Sequence, residues 1–398
     1  MPPVFVSRLT ATSCIGRGLD QTLSALLERQ SGLKQCAFQD IDIKTWVGEV
    51  DAVDDEEMEP ELRDYDCRNN RLAQLALRQD GFSEAVDTAA RRWGRGRIGV
   101  FLGTSTAGIL QTEWAFRHRD PISGCLPTNF VYAATHSPYS LSDFIRRKLR
   151  LEGPAMSVSS ACSSSAKALA SAKRMLDAGL IDAAVVGGVD SLCATTLYGF
   201  HSLGLLADGP CRPFSDDRKG ISLGEAAAYL LLERLPDRPA DGDAVLLLGV
   251  GESSDAYHMS SPHPEGLGAR MAMEQALSSA GLRPAGVDYI NLHGTATFNN
   301  DSSEAIAVAD VFGATTPCSS TKGATGHTLG AAGALEAVIC AIAIQHDLMP
   351  AGPEIGQTDT TTGIQYLASN KRQRVSHVLS NSFGFGGSNC SLVFGRCT

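Results

Sequence analysis

The stretch Met156–Leu180, MSVSSACSSSAKALASAKRMLDAGL, is the one around which the chain is organised. It opens as a short extended run, passes through small residues, places one cysteine and then takes on helical periodicity. Lys167, Ser171 and Arg174 fall on one face, and Leu169, Ala172, Leu176 and Leu180 on the other. Asp177 and Gly179 close the helix, glycine being the usual residue just past a helix end. Cys162 therefore stands where a strand turns into a helix N-terminus, beside unpaired backbone N–H groups and the positive end of the dipole. That setting lowers a thiol pKa. The small neighbours Ala161, Ser163, Ser164 and Ser165 let a substrate approach closely. Two readings stay open on this stretch alone: an activated nucleophile, or a buried structural cysteine of the ordinary kind.

Outward from it, strands alternate with helices. Before it, Val4–Ala11 reads as a strand, Leu19–Glu28 as a helix, Asn69–Val86 as a helix and Arg97–Gly103 as a buried strand feeding the turn Thr104–Gly108. The acidic run Asp51–Asp64 reads as a solvated loop or cover. After it come strand Ile181–Gly188, helix Ala194–Leu206 and strands Ala226–Leu232 and Ala244–Val250. The second half repeats the alternation: helix Gly268–Ala280, strand Val287–Leu292, helices Ser303–Phe312 and Leu329–Gln345, then strands around Val378–Asn381 and Cys390–Phe394. This pattern predicts an α/β protein with largely buried sheets. The Pro/Asp-rich link Pro236–Asp243 marks the division, giving halves 1–240 and 241–398. No sequence repeat relates them.

The chain's 398 residues can bury a large core. A formal charge of −10, from 34 basic and 44 acidic residues, argues against general nucleic-acid binding. No leader pattern is visible in Met1–Gly16, and the apolar run Ala331–Ile344 is too short to span a bilayer and is interrupted by Glu336. Eleven cysteines without a CxxC pair do not suggest a disulfide scaffold, so a reducing cytoplasm is expected.

Two histidines lie in small-residue surroundings. His293 ends an apolar run (YINLH) and precedes Gly294. His327 stands before a helix, where a helix N-terminus disfavours imidazolium and leaves a neutral ring able to donate to an oxyanion.

Six blocks then carry a resemblance: the cysteine stretch, RPFSDDRKGISLGEAAA (Arg212–Ala228), SSDAYHMSSPHPEG (Ser253–Gly266), NLHGTATFNND (Asn291–Asp301), SSTKGATGHTLGAAGALEA (Ser319–Ala337) and NSFGFGGSN (Asn381–Asn389). In this order they resemble the β-ketoacyl-acyl-carrier-protein synthases, the thiolase-fold condensing enzymes of fatty-acid and polyketide synthesis. The resemblance implies two pseudo-duplicated halves in α-β-α-β-α layers. It makes Cys162 the nucleophile that holds the acyl chain and has His293 and His327 stabilise the malonyl enolate. Lys322 organises the His327 side of the site, and Glu304 belongs to the same buried polar network. Thr295 and Thr297 bond pantetheine amides, and the Phe385 N–H joins that of Cys162 in an oxyanion hole with the Phe385 ring as a gate. No cofactor or metal is implied, since substrates ride on the phosphopantetheine of an acyl carrier protein. Arg68, Arg71, Arg117 and Arg119 are candidates for docking that carrier. A homodimer is expected, with a heterodimer of this chain and a Cys-less chain-length factor as the alternative.

Three departures bear on the acyl chain. SSACSSS replaces a threonine-led form, the loop Leu205–Phe214 is short, and Thr106 stands where a bulkier apolar residue is usual. They fit aryl polyene or type II polyketide pathways at least as well as ordinary fatty-acid elongation. A non-catalytic chain-length factor typically lacks the nucleophile that Cys162 provides. A degradative thiolase would need a second cysteine in a Cys-x-Gly context. A Cys-His-Asn starter synthase would need Asn in place of the second His.

Overall fold

Five strands of the first half are β1 (Val4–Ser13), β2 (Ile98–Gly103), β3 (Ala155–Val158), β4 (Ala183–Asp190) and β5 (Ala226–Arg234). They lie in the order β3-β2-β4-β5-β1. The first three are mutually parallel, and β5 is antiparallel to both its neighbours. The second half repeats this with β6 (Val245–Ser254), β7 (Tyr289–Asn291), β8 (Pro317–Ser319), β9 (His377–Gly384) and β10 (Ser388–Arg396), in the order β8-β7-β9-β10-β6. Here too the first three are parallel and β10 is antiparallel to both its neighbours. The pairing β1–β6, Val4 opposite Leu247, joins the two sheets. One topology is thus used twice without a repeated sequence. The computed structural model describes residues 2–234, 244–353 and 357–397, so the link Pro236–Asp243 lies outside the described residues.

Helices α1 (Arg68–Leu77), α2 (Phe82–Trp93) and α3 (Tyr139–Lys148) cover the outer face of the first sheet, and α4 (Ser164–Asp177) packs on its other face. Helices α5 (Leu267–Ala280) and α6 (Phe298–Phe312) cover the outer face of the second sheet. Helix α7 (Ala332–Gln345) lies beside α4 between the sheets. A layer enclosed on both sides has no solvent face to pattern. Every residue of α7 from Ala332 to Ile344 is accordingly buried, as is every residue of β4. Small residues let the central helices approach: a Cβ on Gly333 would sit 2.9 Å from the backbone nitrogen of Ala166.

Two expectations change. The single helix over Asn69–Val86 is broken between α1 and α2, because Asp80 and Gly81 take left-handed φ of 55° and 64°. The Asp80 carboxylate accepts from Thr10 Oγ1 at 2.6 Å, which anchors the break to β1. The acidic run is not a freely solvated cover either. Asp54 pairs with Arg68 at 2.6 Å, Glu59 with Lys148 at 2.5 Å, and Glu56 accepts from Gln74 at 2.6 Å. Cations on α1 and α3, distant in sequence, hold it down.

Candidate active site

The turn between β3 and α4 is stitched by its own serines. Ser164 Oγ donates to the Ala161 carbonyl at 2.5 Å and accepts from the Ser160 N–H at 2.9 Å, while Ser163 Oγ donates to the Ser160 carbonyl at 2.9 Å. Ala161 takes a left-handed φ of 53°. Cys162 follows it, two residues before α4, and is only 5% exposed. The Gly384–Gly387 loop closes over this turn. A Cβ on Gly384 would lie 2.9 Å from the Ser160 carbonyl oxygen, and the Phe385 N–H reaches the Cys162 sulfur.

His327 Nε2 lies 3.0 Å from Cys162 Sγ. Its Nδ1 accepts the Leu329 N–H at 3.2 Å. A neutral ring whose Nδ1 is an acceptor carries its proton on Nε2, so this histidine is a donor toward the cysteine. His293 stands edge-on to it, ring centroids 5.2 Å apart. Lys322 Nζ donates to the His293 carbonyl at 2.5 Å, lies 3.4 Å from His293 Nδ1 and pairs with Glu336. The lysine has no lone pair to offer while charged, so His293 also turns a protonated Nε2 to the site. Glu304 fixes the backbone beneath, accepting from the N–H groups of His293 and Gly294 at 2.8 Å each and from Asn381 Nδ2 at 3.1 Å. Burial and the nearby Lys322 charge hold both imidazoles well below the usual histidine range, neutral at physiological pH.

A cavity of about 450 Å³ opens from these groups to the surface, lined by Thr295, Thr297, Phe298 and Phe385 among others. The Thr295 and Thr297 hydroxyls lie 2.9 Å apart at its wall. Phe200 and Phe385 rings meet at 5.6 Å beside it.

Cys162, His293 and His327 each offer an atom within 4.8 Å of the others, a set that could in outline hold a metal. The hydrogen bonding does not suit one. With Nδ1 of His327 taken by Leu329 and Nδ1 of His293 by Lys322, both Nε2 atoms carry protons and have no lone pair free to ligate.

Comparison with known proteins agrees with this geometry. The N-terminal domain of β-ketoacyl synthases matches residues 2–238 and the C-terminal domain matches residues 244–355. The chain belongs to the β-ketoacyl synthase family. The synthase is 31% identical over 99% of its length to 3-oxoacyl-[acyl-carrier-protein] synthase 2 of Coxiella burnetii, covering 98% of that protein. It is 35% identical over 81% of its length to Nodulation protein E of Rhizobium meliloti, covering 80% of it. A ketosynthase from Xenorhabdus doucetiae, solved in complex with its chain length factor, superposes with a TM-score of 0.89 at 40% identity, covering 99% of this chain and 98% of that one. The synthase is thus an acyltransferase with the thiolase fold.

Several expected residues stand elsewhere in the structure. Arg68, expected at a docking surface, does not face solvent. It is buried, with its guanidinium bonded to Glu225 at 2.6 and 3.0 Å and to Asp54 at 2.6 Å. Arg71 is engaged with both Asp66 oxygens, at 2.6 and 2.8 Å. Arg117 and Arg119 are exposed. Thr106 is buried and its hydroxyl bonds Asp190 at 2.7 Å; it is not among the cavity-lining residues. The thiol corrects another expectation. Burial pushes Cys162 up to about 11, against the opposing pull of Lys322 and the Phe385 N–H. The sequence shows the helix end but not the depth. Alkylation of the unacylated enzyme by iodoacetamide is expected to quicken about tenfold per pH unit from pH 7 to 9, following the thiolate fraction; a plateau below pH 8 would show a depressed thiol instead.

Glu336 and Asp190 went unassigned from sequence. Glu336 had a legible signal, a lone acid in an apolar helix, which when buried needs a cationic partner. Asp190 had none, because its partners come from two segments far from it in the chain, Thr104–Thr106 and Gly330.

Proposed function

We infer that Cys162, His293 and His327 carry out decarboxylative chain extension as a unit, with Lys322 and Glu304 holding the histidines. The observation that carries this is the pair of neutral imidazoles aimed at one buried thiol, with the Nε2 proton of His327 held toward sulfur by the Leu329 N–H. The Cys162 thiolate attacks a carrier-bound acyl thioester, and the carrier thiolate leaves with a proton. Malonyl carrier then loses carbon dioxide, and the electron pair becomes an enolate whose oxygen accepts from both Nε2–H groups. The enolate carbon attacks the acyl–Cys162 carbonyl, whose oxyanion accepts from the Cys162 and Phe385 N–H groups. Collapse expels the Cys162 thiolate. Thr295 and Thr297, on the cavity wall, suit bonding to pantetheine amides.

The pathway reading is a specialised polyene or type II polyketide route, supported by 40% identity across nearly the whole chain to a ketosynthase that was solved with a chain length factor. Relatives named 3-oxoacyl-[acyl-carrier-protein] synthase 2 favour fatty-acid elongation as a second reading. Rates of Cys162 acylation by polyenoyl and saturated acyl carriers separate them. Exclusive use of saturated chains would select elongation.

A dimer accords with β3 ending the sheet and with exposed Trp114, Phe116, Ile122, Tyr132 and Met156 on the same half. A Cys-less chain-length factor is the favoured partner, and a second copy of this chain is the alternative. Light scattering of the singly expressed chain is expected to show incomplete or unstable dimers; a stable dimer of identical chains would select the alternative. Arg117 and Arg119 remain candidates for an acidic acyl carrier protein. Reversing both charges is expected to raise the KM for carrier-bound substrate without dissociating the dimer; dissociation with unchanged KM would place them in the chain–chain face. Eleven free cysteines suit a reducing cytoplasm, and among the described residues no helix is long and apolar enough to cross a membrane.

A further inference from the structure

Asp190 ends β4 with its side chain fully buried. Its Oδ1 accepts from Thr104 Oγ1 at 2.8 Å, from the N–H groups of Ser105 and Thr106 at 2.8 Å each and from Thr106 Oγ1 at 2.7 Å. Both hydroxyls are themselves acceptors, of the Ala107 and Ser191 N–H groups, so their protons go to Asp190. The other oxygen, Oδ2, accepts the Ser105 N–H at 3.0 Å and, from a different segment, the Gly330 N–H at 2.5 Å.

That second segment carries the catalytic histidine. Gly330 follows Leu329, which holds a left-handed φ of 51° that a branched residue adopts only when its surroundings impose it. In that conformation the Leu329 N–H turns back onto His327 Nδ1 at 3.2 Å. The contact at Gly330 is close: an added Cβ would lie 2.8 Å from Asp190 Oδ2 and from Ser105 Oγ.

We propose that Asp190 is a positioning residue for His327, clamping Gly330 so that the strained Leu329 N–H fixes the histidine with its proton on Nε2, toward Cys162. The proposal rests on His327 acting as a donor, as argued above, and goes beyond it by naming what sets the tautomer. His293 provides an internal control, because its Nδ1 faces Lys322 and not this loop.

The test combines two variants with nitrogen NMR of the histidine rings. Asp190→Asn keeps one acceptor for the Thr104–Thr106 turn but aims an amide N–H at Gly330. Gly330→Ala breaks the same link from the other side. In the native enzyme His327 is expected to show a protonated Nε2 and an acceptor Nδ1. In both variants its signals should move toward a mixture while those of His293 stay in place. The decarboxylation kcat should fall at least about tenfold, as when a catalytic histidine loses its orienting partner, with KM for malonyl carrier kept within about twofold. Folded variants with an unchanged His327 tautomer would overturn the proposal, as would equal disturbance of both histidines or failure of both variants to fold. A native enzyme that decarboxylates nothing would count against the condensing role, while the NMR signals would still report the clamp.

Discussion

His327→Ala should lower malonyl-carrier decarboxylation by about a hundredfold or more, the scale of losing one oxyanion donor from a water-excluded site. Cys162→Ala should instead abolish acyl loading and condensation while leaving decarboxylation measurable. The reason is geometric. On the proposed mechanism the enolate donors are the two Nε2–H groups, each set by a partner other than the cysteine: Leu329 for His327 and Lys322 for His293. His293→Ala is expected to behave as His327→Ala does. Both rings sit well below the usual histidine range, by burial first and Lys322 second. Lowering the pH from 8 to 6 therefore forms no imidazolium; the groups of this network that titrate in that window are the buried acids Glu304 and Glu336, both raised to about 7. A native rate in His293→Ala would remove the histidines from the role assigned to them.

Lys322→Met should cost about 3–5 kcal/mol of stability at pH 8, the range for stripping one partner from a buried ion pair. Lys322 and Glu336 are both buried, and the lysine bonds the acid directly. Burial already raises Glu336 to about 7 despite that partner. Without the lysine that value rises further, and keeping the carboxylate charged and unpaired at high pH costs the fold. The sign of the pH dependence follows. A carboxyl whose folded pKa lies above its unfolded value favours the fold when protonated, and that advantage is lost as pH rises through the folded pKa. The deficit of Lys322→Met should thus be small at pH 5.5 and clearly larger at pH 8, as read by urea unfolding. Adding Glu336→Gln should recover part of it at pH 8 only. Equal deficits at both pH values would place the damage elsewhere, in the lost bond to the His293 carbonyl.

Some of this arrangement is visible in the order of residues and some is not. The strand–small turn–helix passage around Cys162, the two histidines in glycine- and threonine-rich surroundings, and Lys322 are local features. Structure brings these four together. The docking arginines show the opposite case. Arg68 and Arg71 look like surface cations on a polar helix, yet Glu225, Asp54 and Asp66 claim them. The burial of Arg68 depends on Glu225, more than 150 residues away and just ahead of β5. Thr106 likewise reads as a pocket hydroxyl, and only the structure shows that hydroxyl turned to Asp190.

By itself, the sequence determined the alternation of strands and helices, the buried character of the sheets and the cysteine and two histidines proposed to act together. Periodicity and residue type act over a few neighbours, and these features need no more than that. Tertiary structure alone decided the duplicated strand order, since pairing of β1 with β6 is not written in any local pattern. It also decided the protonation of the site. Burial set the thiol and both histidines, and donors from distant segments set the tautomers. Desolvation and hydrogen-bond direction depend on what the rest of the fold places around a group, and so cannot be read from the residues beside it in the chain.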